Sequence, residues 1–136
     1  MSFLGSEAQV RIKDSPLLKL RELIEWNKVA KEMGTLGRSG YGPTGYDPLK
    51  LLKSLILQAW HSLSDVELEE ALRVRLDFML FTGFDQEVPD ATTICRFRNL
   101  LTTRALWEKI LRAVNKSLED KGLKVTASHG AILNAD

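Results

Sequence analysis

The chain has 136 residues, of which 44% are hydrophobic and 27% are charged, and its formal net charge is +1. This length suffices for one domain with a hydrophobic core, since domains commonly hold about 100 to 150 residues. No apolar run approaches the roughly 18 residues that a membrane-spanning helix needs, and the start lacks the apolar stretch of a signal peptide. We therefore exclude an integral membrane protein and expect a cytoplasmic one.

The composition favours neither an internal disulfide nor a zinc site. Cys95 is the single cysteine, and His61 and His129 are the two histidines. A lone cysteine forms no internal disulfide, and these separated positions lack the spacing of zinc ligands. We expect a reduced cysteine and no structural metal.

Charge is segregated along the chain. Residues 61–90 hold two basic and eight acidic side chains, whereas residues 91–124 hold eight basic and three acidic ones. An acidic block followed by a basic block predicts one face that meets a polyanion and another that is turned away from it. Solvated helix faces of mixed sign are the alternative.

Cap-and-proline pairs predict the first two helices. Ser15 precedes Pro16, and Asp47 precedes Pro48. A capping side chain followed by proline is typical of a helix start, which predicts one helix over residues 16–33 and a mostly buried one to about residue 60. Residues 34–45, which hold five of the nine glycines, predict a linker between them.

A capping box predicts the next helix. Ser64 and Glu67 have the required spacing, and the predicted helix runs through Leu72. Its four acids are expected to be solvated surface that suits the helix dipole, and they are Asp65, Glu67, Glu69 and Glu70. A short apolar run follows, and Gly83 is its predicted helix C-cap.

The helix predicted over residues 91–101, capped by Asp90, has two different faces. At 100° per residue, the apolar side chains Ala91, Ile94, Phe97 and Leu101 share one side. The opposite side carries short polar groups and an arginine, the layout of a helix that reads base edges in the major groove. The candidate DNA-contacting residues are Thr92, Thr93, Arg96 and Asn99.

Arg98 lies within the apolar half of that wheel. We expect it to reach an acid such as Asp90 or a helix C-terminal carbonyl, with direct DNA contact as the alternative. A further helix, predicted over residues 104–121 and ended by Gly122, carries cations away from its apolar stripe. These are candidate phosphate contacts, with ordinary solubilising roles as the alternative, and they are Arg104, Lys109, Arg112 and Lys116.

Residues 123–126 and 131–133 are predicted as two short strands. A two-stranded hairpin is marginal alone, so we interpret it as the opening of a larger sheet. The predicted fold is mainly α, a multi-helix, helix-turn-helix-like bundle with a short C-terminal β segment. Its predicted parts are an N-terminal helix and linker (1–45), a helical DNA-binding domain (46–122) and the first strands of a further domain (123–136).

Several separated motifs, in order, resemble the N-terminal domain of IS5-type insertion-sequence transposases. They are YDP at 46–48, LSDVELEEAL at 63–72 and PDATTICRFR at 89–98. The resemblance implies a nucleoid-associated helical region that binds terminal inverted repeats on double-stranded DNA. It also implies that an RNase H-like domain follows, in which three acids hold two Mg²⁺ ions for DNA transposition.

The resemblance places Asn134 where that domain has its first catalytic acid, with Asp136 two residues later. An amide brings no charge to a metal, so we expect no strand transfer from this chain alone and no cofactor in it. The alternative to a DNA-binding portion is an interaction module, in which the helices at 16–33 and 104–121 form a homodimer or inhibit a full-length transposase.

Overall fold

The computed structural model describes residues 15–34 and 45–119, together with two strand segments at 123–125 and 132–134. Over these residues the chain is mainly helical, as predicted. Its helices are α1 (Pro16–Leu23), α2 (Trp26–Glu32), α3 (Pro48–His61), α4 (Asp65–Val74), α5 (Leu76–Thr82), α6 (Ala91–Thr103) and α7 (Trp107–Leu118). The predicted linker, apart from its two end glycines, lies outside the described residues.

Side-chain caps begin four of the described helices, α1, α3, α4 and α6, where the sequence predicts. The Asp47 carboxylate accepts a hydrogen bond from the Leu49 N–H at 3.0 Å, with Pro48 at the first helical position. In the capping box, the Ser64 hydroxyl accepts from the Glu67 N–H at 3.1 Å, and the Glu67 carboxylate accepts from the Ser64 N–H at 2.9 Å. These bonds satisfy N–H groups that helix geometry leaves without a partner.

The single helix predicted over residues 16–33 is wrong, because the helix breaks between α1 and α2. Ile24 is extended (φ −87°, ψ 129°) and buried. The next N–H, of Glu25, donates to the Ser117 hydroxyl on α7 at 3.1 Å. The break lets α1 pack against α5 while α2 packs against α7. Tertiary contacts therefore override the helical periodicity.

The core is built around α3, which packs against α4, α5 and α6. Leu52, Ile56 and Leu57 on α3 are fully buried. Trp60, near the end of α3, meets Phe81 of α5 edge-to-face with ring centroids 5.4 Å apart. Buried residues from α1 through α7 belong to one hydrophobic cluster, so α6 is seated on a continuous core.

The predicted start of the last helix is also wrong. α7 begins at Trp107, and Arg104 is the C-cap of α6. Ala105 between them has a positive φ of 55°, a left-handed conformation that helices exclude. The predicted end at Gly122 lies outside the described residues.

Two short strands follow. β1 (Leu123–Val125) pairs antiparallel with β2 (Ile132–Asn134), and Leu123 lies opposite Asn134. The backbone of β1 also packs against α7. The strand pair therefore adjoins the end of the helical part of the chain.

Candidate functional site

The faces of α6 are sorted as its helical wheel predicts. Ile94, Phe97 and Leu101 are at most 2% exposed, whereas Thr92, Arg96 and Asn99 are exposed. The apolar side packs against α3 and α4. The described part of the chain thus presents one polar face of α6 to solvent.

The N-terminus of α6 is held by its predicted cap. The Asp90 carboxylate accepts a hydrogen bond from the Thr93 N–H at 2.8 Å. This backbone bond, more than any other cause, lowers the pKa of Asp90. Thr93 itself is half-buried, so Thr92 is the more exposed of the two candidate threonines.

Two of the polar residues on the exposed face differ in their local contacts. Arg96 has no ion-pair partner among the described residues. The Asn99 amide nitrogen lies 3.7 Å from the Cys95 sulfur, one turn back on the same helix, and this weak contact leaves its amide oxygen without a partner among the described residues. Cys95 is a free, partly buried thiol. The guanidinium of Arg96 thus takes part in no ion pair within the described part of the chain.

Arg98 is turned to the other side and is bound there. Its guanidinium donates two hydrogen bonds to the Asp65 carboxylate on α4, of 2.6 and 2.8 Å. The Gln58 side chain of α3 accepts from Arg98 at 3.1 Å and donates to Asp65 at 2.7 Å. An acid does hold Arg98, as expected, but it is Asp65 instead of Asp90.

This network shifts the pKa values of both charged groups. The hydrogen bonds from Arg98 are the largest cause that lowers the pKa of Asp65, and partial burial opposes them. The same bonds raise the pKa of Arg98. Both groups are therefore charged near neutral pH, and a bidentate charged pair ties α6 to α4.

A second acid of α4 holds the start of α6. The Glu69 carboxylate accepts from the Ala91 N–H at 2.7 Å and pairs with Arg73 at 2.8 Å. Asp65 and Glu69 are four residues apart, which puts them on one face of α4. The expectation that all four acids of α4 are merely solvated is thus wrong for these two, whose spacing is the signal that sequence reasoning missed.

The candidate phosphate contacts lie on a different part of the chain. Arg104 is exposed at the turn that follows α6, and Lys109, Arg112 and Lys116 are exposed on α7. The buried side of α7 consists of Ile110, Leu111, Val114 and Leu118. The structure therefore separates the cations of α7 from its apolar stripe, as predicted.

The described residues form no catalytic site around the candidate positions Asn134 and Asp136. Asn134 is the last residue of β2, and Asp136 lies outside the described residues. Over the part of the chain that the structure describes, no three His, Cys, Asp or Glu side chains form a group suited to a metal ion. In the same part, every helix is too short or too polar to cross a bilayer.

Comparison with known protein families identifies the chain. Residues 6–100, more than half of its length, match the family model described as Transposase domain (DUF772). The chain belongs to this family. The matched region extends from before α1 to the penultimate turn of α6 and includes the Arg98–Asp65 pair, whereas α7 follows it. No solved structure matches the chain.

Membership of the transposase domain family gives the arrangement a transposase-related context. Most of the α3–α4–α6 core, with its bound Arg98 and its exposed Arg96, lies within the matched residues. The exposed face of α6 is therefore the candidate functional site.

Proposed function

We propose that this chain is the DNA-binding portion of an IS5-type transposase and that it recognises terminal inverted repeats through the exposed face of α6. Membership of the transposase domain family supports the transposase context. The proposal rests mainly on the contrast between Arg96 and Arg98 on one helix. Arg98 forms an ion pair with Asp65, whereas Arg96 is exposed and has no ion-pair partner among the described residues.

Base recognition requires a helix that is held rigidly and whose free face is polar. Asp90, Glu69 and Asp65 hold α6 at its N-terminus and along its length. In the major groove, an arginine pairs with the two acceptors of guanine and an asparagine with the edge of adenine. In this proposal Arg96 and Asn99 make those contacts, and Thr92 contacts a base edge or its methyl group.

The remaining cations contribute affinity without reading sequence. Arg104, Lys109 and Arg112 are exposed, and phosphate contacts from such side chains position a protein on duplex DNA. The family resemblance implies Mg²⁺ ions that are held by three catalytic acids. In this proposal those acids do not lie on the described helices, and DNA binding by α6 depends on no metal.

The interaction-module alternative stays a prediction. It relied on the segments 16–33 and 104–121, and within one chain α2 of the first segment packs against α7 of the second. Their buried side chains, including Val29, Met33 and Val114, belong to the core of that chain. No observation on the described residues favours a homodimer over DNA binding.

Fluorescence anisotropy tests the proposal. The purified chain is titrated into a labelled inverted-repeat duplex and into a scrambled duplex of the same length and base composition, at two salt concentrations. We expect tighter binding to the repeat at both concentrations and weaker binding to both duplexes at the higher one. Equal affinity for the two duplexes would contradict sequence recognition, and absence of binding would favour the interaction module instead.

A further inference from the structure

A basic groove lies between α2 and α7, the two helices that the break at Ile24 brings together. It has a volume of about 470 Å³ and is lined by the segments 25–32 and 109–117. Its charged lining comprises two acids, Glu25 and Glu32, and five cations, which are Lys28, Lys31, Lys109, Arg112 and Lys116. The groove therefore carries a surplus of positive charge.

Little of that charge is neutralised within the fold. Lys28 pairs with Glu25 at 2.6 Å, but both side chains are more than half exposed, and exposed pairs of this kind are weak and screened by salt. The other four cations have no ion-pair partner among the described residues. The groove is thus an electropositive surface available to a ligand.

Helix stability does not account for all of these cations. Lysines near a helix C-terminus complement the helix dipole, which suits Lys31 and Lys116. Lys109 instead lies in the first turn of α7, two residues after Trp107, where the dipole disfavours a cation. The cations also come from two helices about 80 residues apart in the chain, and only the tertiary packing makes them neighbours.

The spacing of the cations on α7 suits a phosphate backbone. Lys109, Arg112 and Lys116 follow an i, i+3, i+7 pattern along one side of the helix, which spans about 10 Å at 1.5 Å per residue. Each strand of duplex DNA carries one phosphate per about 3.4 Å of helix axis. Neighbouring phosphates are farther apart along the strand than along the axis, and the row is therefore long enough to face about two of them.

We propose that the α2–α7 groove binds the sugar–phosphate backbone of duplex DNA and that Lys31 of α2 acts there together with Lys109 and Arg112 of α7. This inference rests on the proposed DNA-binding function and extends it to α2, which the sequence placed outside the DNA-binding domain. Because phosphate contacts carry no sequence information, the groove holds the inverted repeat and any other duplex equally, while α6 discriminates between them.

The test is a triple variant, Lys31→Gln/Lys109→Gln/Arg112→Gln, titrated against the repeat and the scrambled duplex at four salt concentrations. Removal of three phosphate contacts makes the slope of log K against log salt shallower by about 2.7, at about 0.9 per contact. We expect equal losses of affinity on both duplexes and an unchanged ratio between them. Circular dichroism confirms that the variant is folded.

Single variants supply a matched control. Lys31→Gln in the groove and Lys19→Gln on α1 remove the same charge from two exposed lysines. We expect Lys31→Gln to make the salt slope shallower by about 0.9 and Lys19→Gln to leave it unchanged. Equal effects of the two variants would mean that only net charge matters, and the groove would be rejected.

The outcomes separate this inference from the proposed function. If the wild type prefers the repeat and the triple variant keeps its affinity and salt slope, the groove is rejected and the function of α6 stands. If the wild type binds both duplexes equally and the triple variant loses that binding, the groove stands and recognition by α6 fails. A triple variant that changes the ratio between the duplexes would overturn a purely backbone role for the groove.

Discussion

The guanidinium of Arg98 on α6 forms two parallel hydrogen bonds, of 2.6 and 2.8 Å, with the carboxylate of Asp65 on α4. The two residues are 33 positions apart in the chain, and Gln58 of α3 bonds to both. Three helices therefore meet at one partly buried charged group. This pair ties α6 to α4 and, through Gln58, to α3.

A double-mutant cycle measures the strength of the pair. We expect Asp65→Ala and Arg98→Ala each to lower the free energy of unfolding, with a coupling of about 1 kcal/mol between them. This expected coupling lies at the upper end of the range for surface ion pairs, because the two side chains are only 24% and 34% exposed and their geometry is bidentate. Urea denaturation of the four proteins gives the coupling, and additive effects would show that the pair contributes nothing.

Stability should fall in acid, partly through this pair. The pKa of Asp65 is lowered in the folded state below its usual 3.8, chiefly by the hydrogen bonds from Arg98. A lowered pKa contributes stability above the unfolded-state value, and the contribution is lost as the pH falls through the folded-state value. We expect the stability difference between wild type and Asp65→Asn to be constant near neutrality and to shrink below about pH 4. A difference that persists unchanged to about pH 2 would contradict this.

The hydrogen bond between the Glu69 carboxylate and the start of α6 is tested by Glu69→Ala. This change removes the acceptor of the partly buried Ala91 N–H, and the loss should destabilise the protein by about 1 to 2 kcal/mol. Glu70→Ala, at the next and exposed position of the same helix, is the matched control and should be nearly neutral. Equal shifts in the urea midpoints of the two variants would argue against a bond from Glu69 to α6.

Gly83 ends α5 with a φ of 87°, which favours glycine over any residue with a Cβ. A Cβ at this position would lie 3.3 Å from the Lys50 Cε, a flexible side chain that can move. Backbone strain is therefore the main cost, and Gly83→Ala should destabilise by about 1 to 2 kcal/mol. Gly83→Asn should cost less, because asparagine tolerates this conformation. The reverse order of the two thermal midpoints would contradict that explanation.

Recognition by α6 is tested by comparing two arginines. We expect Arg96→Ala to reduce the discrimination between the repeat and a scrambled duplex by about 1 to 3 kcal/mol. Arg104→Ala, at the exposed turn after α6, should weaken both duplexes equally and make the salt slope shallower. Anisotropy titrations measure both effects, and an equal loss on the two duplexes for Arg96→Ala would refute its role in base recognition.

Sequence reasoning predicted most of the helix starts, since local chemistry determines them. Asp47, Ser64 and Asp90 each cap a helix through an N–H two or three residues away. The two faces of α6 were also predictable, because helical periodicity alone sorts Ile94 and Phe97 from Arg96. The use of these features in DNA binding remains a prediction.

Only the tertiary structure decided the break at Ile24, the acid that binds Arg98 and the basic groove between α2 and α7. Each depends on contacts between segments that are distant in the chain. Examples are the hydrogen bond from the Glu25 N–H to the Ser117 hydroxyl and the ion pair between Arg98 and Asp65. Periodicity and capping report only the preferences of neighbouring residues, and packing overrides those preferences wherever a break buries more apolar surface or satisfies a distant charge.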